Sequence, residues 1–306
     1  MHIIINANME FEFPINGQVT DEMKSFYEQH GFVIFNNYLT AEECDDLLSE
    51  GSKLISEFEP TPETLAIFHA DTESGMKNTS QYFRDSADKI SFFFEKDAFL
   101  DGKLVVDKNQ SINKIAHALG ELNTKFADVT LRESIKNIAQ NFGVSDPVLV
   151  QSMMICKPKK IGGEVKPHQY STFLYTKPDT TMAFWIPLER TTVNNACLYA
   201  IPGSHKLPLM CRYINNEKGS YLTDLQGQPL TDEETKKLYQ ASCHDNEFIP
   251  LEMNKGSLLI FPGTLIHRSG PNPSEQSRNA YTFHLVSANS VYDQENWLQR
   301  STFRQL

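Results

Sequence analysis

No apolar run in this chain approaches the roughly 18–20 residues that a membrane-spanning helix needs; the longest candidates, such as residues 182–188, are strand-sized. No C-x-x-C pair occurs. The five cysteines, at 44, 156, 197, 211 and 243, are odd in number in a chain of 306 residues. That pattern excludes the evenly paired framework of a small disulfide-stapled domain and fits reduced, intracellular usage. Basic charge is scarce: 28 Lys+Arg against 39 Asp+Glu leave a net charge of −11. A phosphate-backbone binder needs a basic surface, so nucleic acid is not expected as a partner. Internal repeats and low-complexity tracts are absent. Residues 1–10 carry a short apolar patch without a basic flank, unlike a signal peptide. The ending Phe303-Arg304-Gln305-Leu306 is not the S-K-L peroxisomal address. A cytoplasmic protein with no membrane partner is the expectation, and no feature of the sequence specifies an oligomeric state.

What is present is the composition of a globular protein, 40% hydrophobic and 22% charged. Residues 20–60 read as helical. Thr40-Ala41-Glu42-Glu43 has the form of a capping box, and apolar residues follow at Cys44, Leu47, Leu48, Leu54, Ile55 and Phe58 in a helical stripe. Residues 110–143 also read as helical, with Ile112, Ile115, Ala116 and Leu119 on one face. Near residue 147 the texture changes to short apolar runs at 148–155, 172–176, 182–188, 197–201, 257–261 and 280–288, punctuated by Gly, Pro and Asn. Such a series predicts a β-sandwich or jelly roll. Residues 206–247 are polar and irregular, with a short helix near 231–241, and read as an insertion. The expected architecture is a mainly β single domain over residues 1–306. A largely helical N-terminal layer spans about 20–145, and a jelly-roll core spans about 147–290.

Two of the nine histidines stand beside strand runs: His168, in Gly162-Gly163-Glu164-Val165-Lys166-Pro167-His168-Gln169-Tyr170, and His267, in Phe261-Pro262-Gly263-Thr264-Leu265-Ile266-His267-Arg268-Ser269. A jelly roll can bring such strand ends together at its mouth, where two imidazoles suit a first-row transition metal. A lone strand-end histidine is more often structural. His205 in its Pro-Gly turn, His284 within a strand and His117 read as structural. Arg278 starts a strand run eleven residues after His267; an arginine there is ordinarily a solvated charge, and it is also the natural two-pronged clamp for a carboxylate. Lys114, among apolar neighbours, reads alone as a snorkelling helix lysine. The cluster Lys157-Pro158-Lys159-Lys160 reads as a solvated loop.

His168-Gln169 followed by Phe173-Leu174-Tyr175-Thr176, then Phe184-Trp185-Ile186, Cys197-Leu198 and Ile201-Pro202-Gly203-Ser204-His205, resembles the phytanoyl-CoA dioxygenase family. Tyr82-Phe83, residues 89–96, Ser111-Ile112-Asn113-Lys114-Ile115, Val150-Gln151-Ser152-Met153, Gly162-Gly163-Glu164-Val165 and residues 278–285 extend the similarity to one branch of it, over roughly residues 22–299. The resemblance implies a double-stranded β-helix, cupin-like, that binds Fe(II) and 2-oxoglutarate and oxidises a small organic molecule. The family holds iron with a His-x-Asp pair and a distal His, a facial triad with positions open to co-substrate and oxygen. By position His168 matches the first histidine and His267 the distal one. Arg278 matches the clamp on the far carboxylate of 2-oxoglutarate. Lys114, Met153 and Trp185 match positions lining the co-substrate pocket, with Ser269 as their neighbour.

The expected Asp is Tyr170. Residues i and i+2 of a strand share a face, which is where the family's carboxylate would stand. A tyrosine oxygen lies about 6.5 Å from its Cα, against about 3 Å for an Asp oxygen, so it does not simply inherit the coordination position. Its phenol, with a pKa near 10, is a poor anionic ligand unless a metal deprotonates it. Three outcomes follow. Two histidines and 2-oxoglutarate hold iron weakly, with water or an anion in the vacant place. Tyr170 ligates after backbone adjustment. Or Tyr170 fills the pocket and the chain is a non-catalytic, ligand-binding relative. Members of the wider superfamily that hold a halide there carry a small residue, so a halide is not expected here. Glu164 and Glu189 are possible substitute carboxylates.

Overall fold

The computed structural model describes residues 10–14, 16–68, 80–217 and 219–306. Its apolar runs become strands because Val, Ile and Phe fit a pleated surface covered on both sides. Eight of them form the main path of one large sheet: β1 (Glu10–Glu12), β2 (Val33–Asn36), β3 (Ile90–Phe94), β4 (Ile112–His117), β5 (Pro147–Ile155), β7 (Met182–Pro187), β10 (Leu258–Pro262) and β12 (Ala280–Ser287). Their order is β1-β2-β10-β7-β12-β5-β4-β3, and Arg304–Gln305 also pairs with β5. A smaller sheet is built from β6 (Val165–His168), β8 (Leu198–Ala200), β9 (Ile249–Leu251) and β11 (His267–Ser269), in the order β9-β8-β11-β6.

Side-chain parity sorts the core. Ile34, Ala183, Trp185, Leu259 and Phe261 point to the small sheet and pack with Leu198, Ala200 and Leu251. Their sequence neighbours Val33, Phe35, Phe184, Leu258 and Ile260 point the other way. There they meet the helices α2 (Ala41–Glu57), α3 (Thr124–Thr130) and α4 (Glu133–Asn141), through Cys44, Leu47, Phe126, Val129, Ile135 and Ile138. This is the mainly β jelly roll with helices on its outer face that the sequence predicts. The capping box forms as written: Thr40 Oγ1 accepts from the Glu43 amide at 3.1 Å, and the Thr40 amide donates to Glu43 Oε2 at 2.8 Å.

Three expectations need correction. Residues 20–60 are not all helix: between Asp21–His30 and Ala41–Glu57 the chain forms β2. Phe32 to Phe35 are four consecutive apolar residues, and such a run is buried on both faces, as only a central strand or core helix can be. Within 110–143, Ile112–His117 is strand β4, all six residues buried. Its apolar spacing at 112, 115 and 116 mimics a helix because both faces of a covered strand are apolar. The run at 172–176 is a 3-10 turn, Tyr170–Thr172, and a short strand, Thr176–Lys177. The segment at 206–247 carries a hairpin, Arg212–Asn216 with Gly219–Thr223, and the helix Asp232–Ser242. Its Tyr213, Leu222 and Tyr239 pack on Ile201 and Ile266 beside the site. No helix among the described residues is long and apolar enough to cross a membrane.

Candidate metal and carboxylate site

Strands β6 and β11 pair antiparallel with His168 directly opposite His267. That register brings together two imidazoles far apart in sequence, with ring centres 4.2 Å apart. His168 Nδ1 lies 2.9 Å from the Lys166 carbonyl and His267 Nδ1 3.0 Å from the Leu265 carbonyl. A carbonyl only accepts, so each Nδ1 carries the proton and donates it, leaving the Nε2 lone pair free. Burial keeps both rings neutral: His168 is held down to about 4, its Lys166 hydrogen bond opposing, and His267 is pushed well below its ordinary value. His267 Nε2 is buried without a hydrogen-bond partner among the described residues. Two imidazoles sharing a first-row metal at about 2.1 Å and at right angles place their ring centres about 4.5 Å apart. The pair therefore fits two adjacent positions of such a metal.

The third position is different. Strand β6 ends at His168, and Tyr170 opens the 3-10 turn instead of continuing the strand face. Its ring lies 4.5 Å from His267, stacks on Phe261 at 5.7 Å and meets His284 edge-on at 4.2 Å. Burial raises the phenol above its ordinary value, against an opposing pull from Arg278, so it is a neutral group. Glu189 accepts from the Asn279 amide and from Ser277, and Glu164 is exposed. Neither lines the cavity that holds the histidines. Among the described residues no three His, Cys, Asp or Glu side chains could hold a metal together.

The other end of this cavity is cationic. Arg278 is 1% exposed; its Nε donates to the Ala196 carbonyl at 3.1 Å and its Nη2 to Ser269 Oγ at 3.1 Å. Nη1 is buried with no partner among the described residues. The guanidinium lies 5.4 Å from the Trp185 ring centre. Burial lowers its pKa to about 10, with the acid-forming neighbours Cys197, Tyr170, Glu189 and Glu95 opposing, so it stays charged at neutral pH. A buried guanidinium with an unused donor is an anion-binding group by elementary satisfaction of hydrogen bonds.

Lys114, Met153, Trp185 and Ser269 line the same cavity as His168, Tyr170, His267 and Arg278. The bland reading of Lys114 fails: it sits in the middle of a central strand, 4% exposed, with Nζ 3.5 Å from the Phe68 ring centre. Desolvation lowers it to about 7. His117 accepts its structural role, with Nδ1 2.8 Å from Ser86 Oγ. His205 fills the space beside Gly31, where a Cβ would strike its ring. His284 lies opposite Tyr281, Phe283 and Leu285 as its parity requires, and backs Tyr170.

Two lining residues escape the sequence reading. Lys159 and Lys160 are exposed, but Lys157 is buried, with Nζ 2.8 Å from Ser269 Oγ. The overlooked signal is its place directly after the buried run of β5, before Pro158 and the Gly162-Gly163 pair. Glu95 is 3% exposed and accepts from Asn113 at 3.0 Å. Burial raises its pKa, with hydrogen bonds from Gly163 and Asn113 opposing.

The model of the phytanoyl-CoA dioxygenase (PhyH) family matches residues 27–280. A phytanoyl-CoA dioxygenase domain-containing protein 1 homolog of Dictyostelium discoideum is 39% identical over 92% of this chain and 97% of its own length. The Danio rerio phytanoyl-CoA dioxygenase domain-containing protein 1 is 39% identical over 92% and 95%. Among solved structures, EctD from S. alaskensis with 2-oxoglutarate and 5-hydroxyectoine superposes with a TM-score of 0.60 at 16% identity, covering 94% of this chain and 85% of that one. The non-heme alpha ketoglutarate dependent carbocyclase SnoK superposes with a TM-score of 0.63 at 15% identity, covering 95% and 98%. Fold, family model and relatives agree along nearly the whole length, Tyr170 notwithstanding: this chain belongs to the phytanoyl-CoA dioxygenase family.

Proposed function

We propose that this chain binds 2-oxoglutarate and iron(II) in the cavity between its two sheets and oxidises a small organic substrate there. The family's members and their structural neighbours work as Fe(II)- and 2-oxoglutarate-dependent oxygenases, which supports that reaction type. The observation that carries the reading is that His267 Nε2 and Arg278 Nη1 are both buried beside one cavity and neither has a hydrogen-bond partner among the described residues.

His168 and His267 would hold the metal, each presenting Nε2 because its Nδ1 is committed to a backbone carbonyl. Iron, when bound there, supplies the oxidising chemistry and Lewis acidity that no side chain has. Arg278 holds the distal carboxylate of the co-substrate, oriented by its bonds to Ala196 and Ser269. Trp185, Met153 and Leu198 exclude water around it, which strengthens each charge-assisted contact. Phe173, Tyr213, Leu222 and Trp297 leave a mostly apolar space for the substrate.

With Tyr170 in place of a carboxylate, a bound metal would have two protein ligands, so iron affinity and turnover are expected to be low. A second reading rests on Tyr170 alone. Its neutral ring is packed against His267, His284 and Phe261, and in that reading the chain binds 2-oxoglutarate as a non-catalytic relative. Succinate release from 2-oxoglutarate, measured with iron in excess, separates the two. Release abolished by His267→Ala supports the oxygenase. Absence of release alongside measurable 2-oxoglutarate binding supports the non-catalytic protein.

A further inference from the structure

Lys157 and Arg278 converge on one hydroxyl. Lys157 Nζ donates to Ser269 Oγ at 2.8 Å and to the Gly270 carbonyl, and Arg278 Nη2 donates to the same Oγ at 3.1 Å. Ser269 Oγ donates in turn to the Ala196 carbonyl at 3.0 Å, so its single proton is already used. The arrangement is held from behind. The Lys157 carbonyl accepts from the Arg278 amide at 3.0 Å and from Asn272 Nδ2 at 3.2 Å. Gly162 lies against the Lys157 stem so closely that a Cβ there would strike Cγ. A lysine 2% exposed and tied at both backbone and side chain is not a solvated loop residue.

We propose that Lys157 is a second cation of the carboxylate-binding end, giving its third N–H to the same ligand carboxylate that Arg278 Nη1 receives, so that this end selects a full negative charge. The inference rests on the proposed binding of a dicarboxylate at Arg278. Its core is a donor count. An ammonium has three N–H groups; among the described residues Lys157 has two acceptors and the adjacent Arg278 Nη1 has none. One carboxylate offers lone pairs to both.

The electrostatics agree. Burial and Arg278 push Lys157 well below an ordinary lysine, while Glu95, Glu164 and Cys197 pull the other way. A carboxylate arriving beside Arg278 favours the protonated form of Lys157, so binding takes up a proton at any pH where the free amine is neutral. Affinity therefore falls as pH rises, by up to about tenfold per pH unit for one coupled proton.

The test is calorimetric titration of the full chain with 2-oxoglutarate, glutarate and pentanoate, in buffers of different ionisation enthalpy and between about pH 6 and 9. The expected result is proton uptake on binding in the wild type. Lys157→Met should weaken binding about tenfold or more and remove the pH slope. Lys157→Arg should keep binding and lose the slope. Lys157→Gln, which keeps a hydrogen-bonding group in the same space without the charge, serves as a second variant should Lys157→Met fail to fold; it too should weaken binding and lose the slope. Wild-type binding of 2-oxoglutarate without proton uptake and unchanged in Lys157→Met overturns the role of Lys157 while leaving the proposed function standing. Glutarate and pentanoate bound through Lys157, with 2-oxoglutarate held no tighter, overturns the proposed function and keeps this inference. Binding of no carboxylate overturns both.

Discussion

The two ends of the cavity are built to different standards. At the carboxylate end, Arg278, Ser269 and Lys157 hold one another through hydrogen bonds, and the backbone of each is tied to a neighbouring strand or loop. At the proposed metal end two imidazoles face each other across paired strands with Nδ1 committed to carbonyls, and a neutral tyrosine stands at the sequence position of the family's carboxylate. The lesson is that one fold positions two chemistries independently. Strand pairing sets the histidines, and the loop before β12 sets the arginine. A single change at residue 170 alters one end and leaves the other complete.

The comparison breaks most visibly through Arg278. Arg278→Met should weaken 2-oxoglutarate binding by about 100-fold or more, the cost of leaving a buried carboxylate unpaired; calorimetry checks it, and equal binding would erase the distinction between the ends. Tyr170→Asp should raise Mn(II) affinity about tenfold to 100-fold, at least the effect of an outer ligand-orienting group. Electron paramagnetic resonance of free Mn(II) measures this.

Lys114 gives a smaller effect, on stability. Its folded-state value of about 7 lies below the ordinary 10.5. Between those values the unfolded chain binds more protons, so stability rises with pH through that window. Below about pH 7 the penalty is fully present, because both states are then protonated. Lys114→Met should therefore raise the melting temperature at pH 7, and the gain should shrink by pH 9. Thermal unfolding at the two pH values checks the sign. The smallest effect is expected from Tyr170→Phe. A neutral phenol is not a ligand here, so metal affinity measured by the same resonance titration should not change; a loss would make Tyr170 a ligand.

Much of this was legible in the residues. The jelly-roll core announced itself in short runs broken by Gly and Pro, and the eight residues that the family resemblance marks all line one cavity. The N-terminal third was harder. Phe32 to Phe35 and Ile112–His117 are strands covered on both faces, so they lack the alternation that separates strand from helix. Lys157 was hidden by company: Lys159 and Lys160 are exposed, and their neighbour is held inward by hydrogen bonds to Ser269 and Gly270, far away in sequence. Glu95 follows four buried strand residues, and its facing depends on the close approach of Gly163, where a Cβ would lie 2.9 Å from Oε2. Both are tertiary facts. Tyr170 was legible as a departure from the family, but its packing against His284 was not, because that contact joins a 3-10 turn to a strand more than a hundred residues away.

The most direct test of the account is an anaerobic titration of the full chain with Fe(II) and 2-oxoglutarate, followed by visible absorption. A two-histidine centre with a complete carboxylate end predicts a weak metal-to-ligand charge-transfer band that is lost in Arg278→Met and grows in Tyr170→Asp at the same iron concentration. No band in either the wild type or Tyr170→Asp would contradict it, because the histidine pair and the arginine would then not form one site.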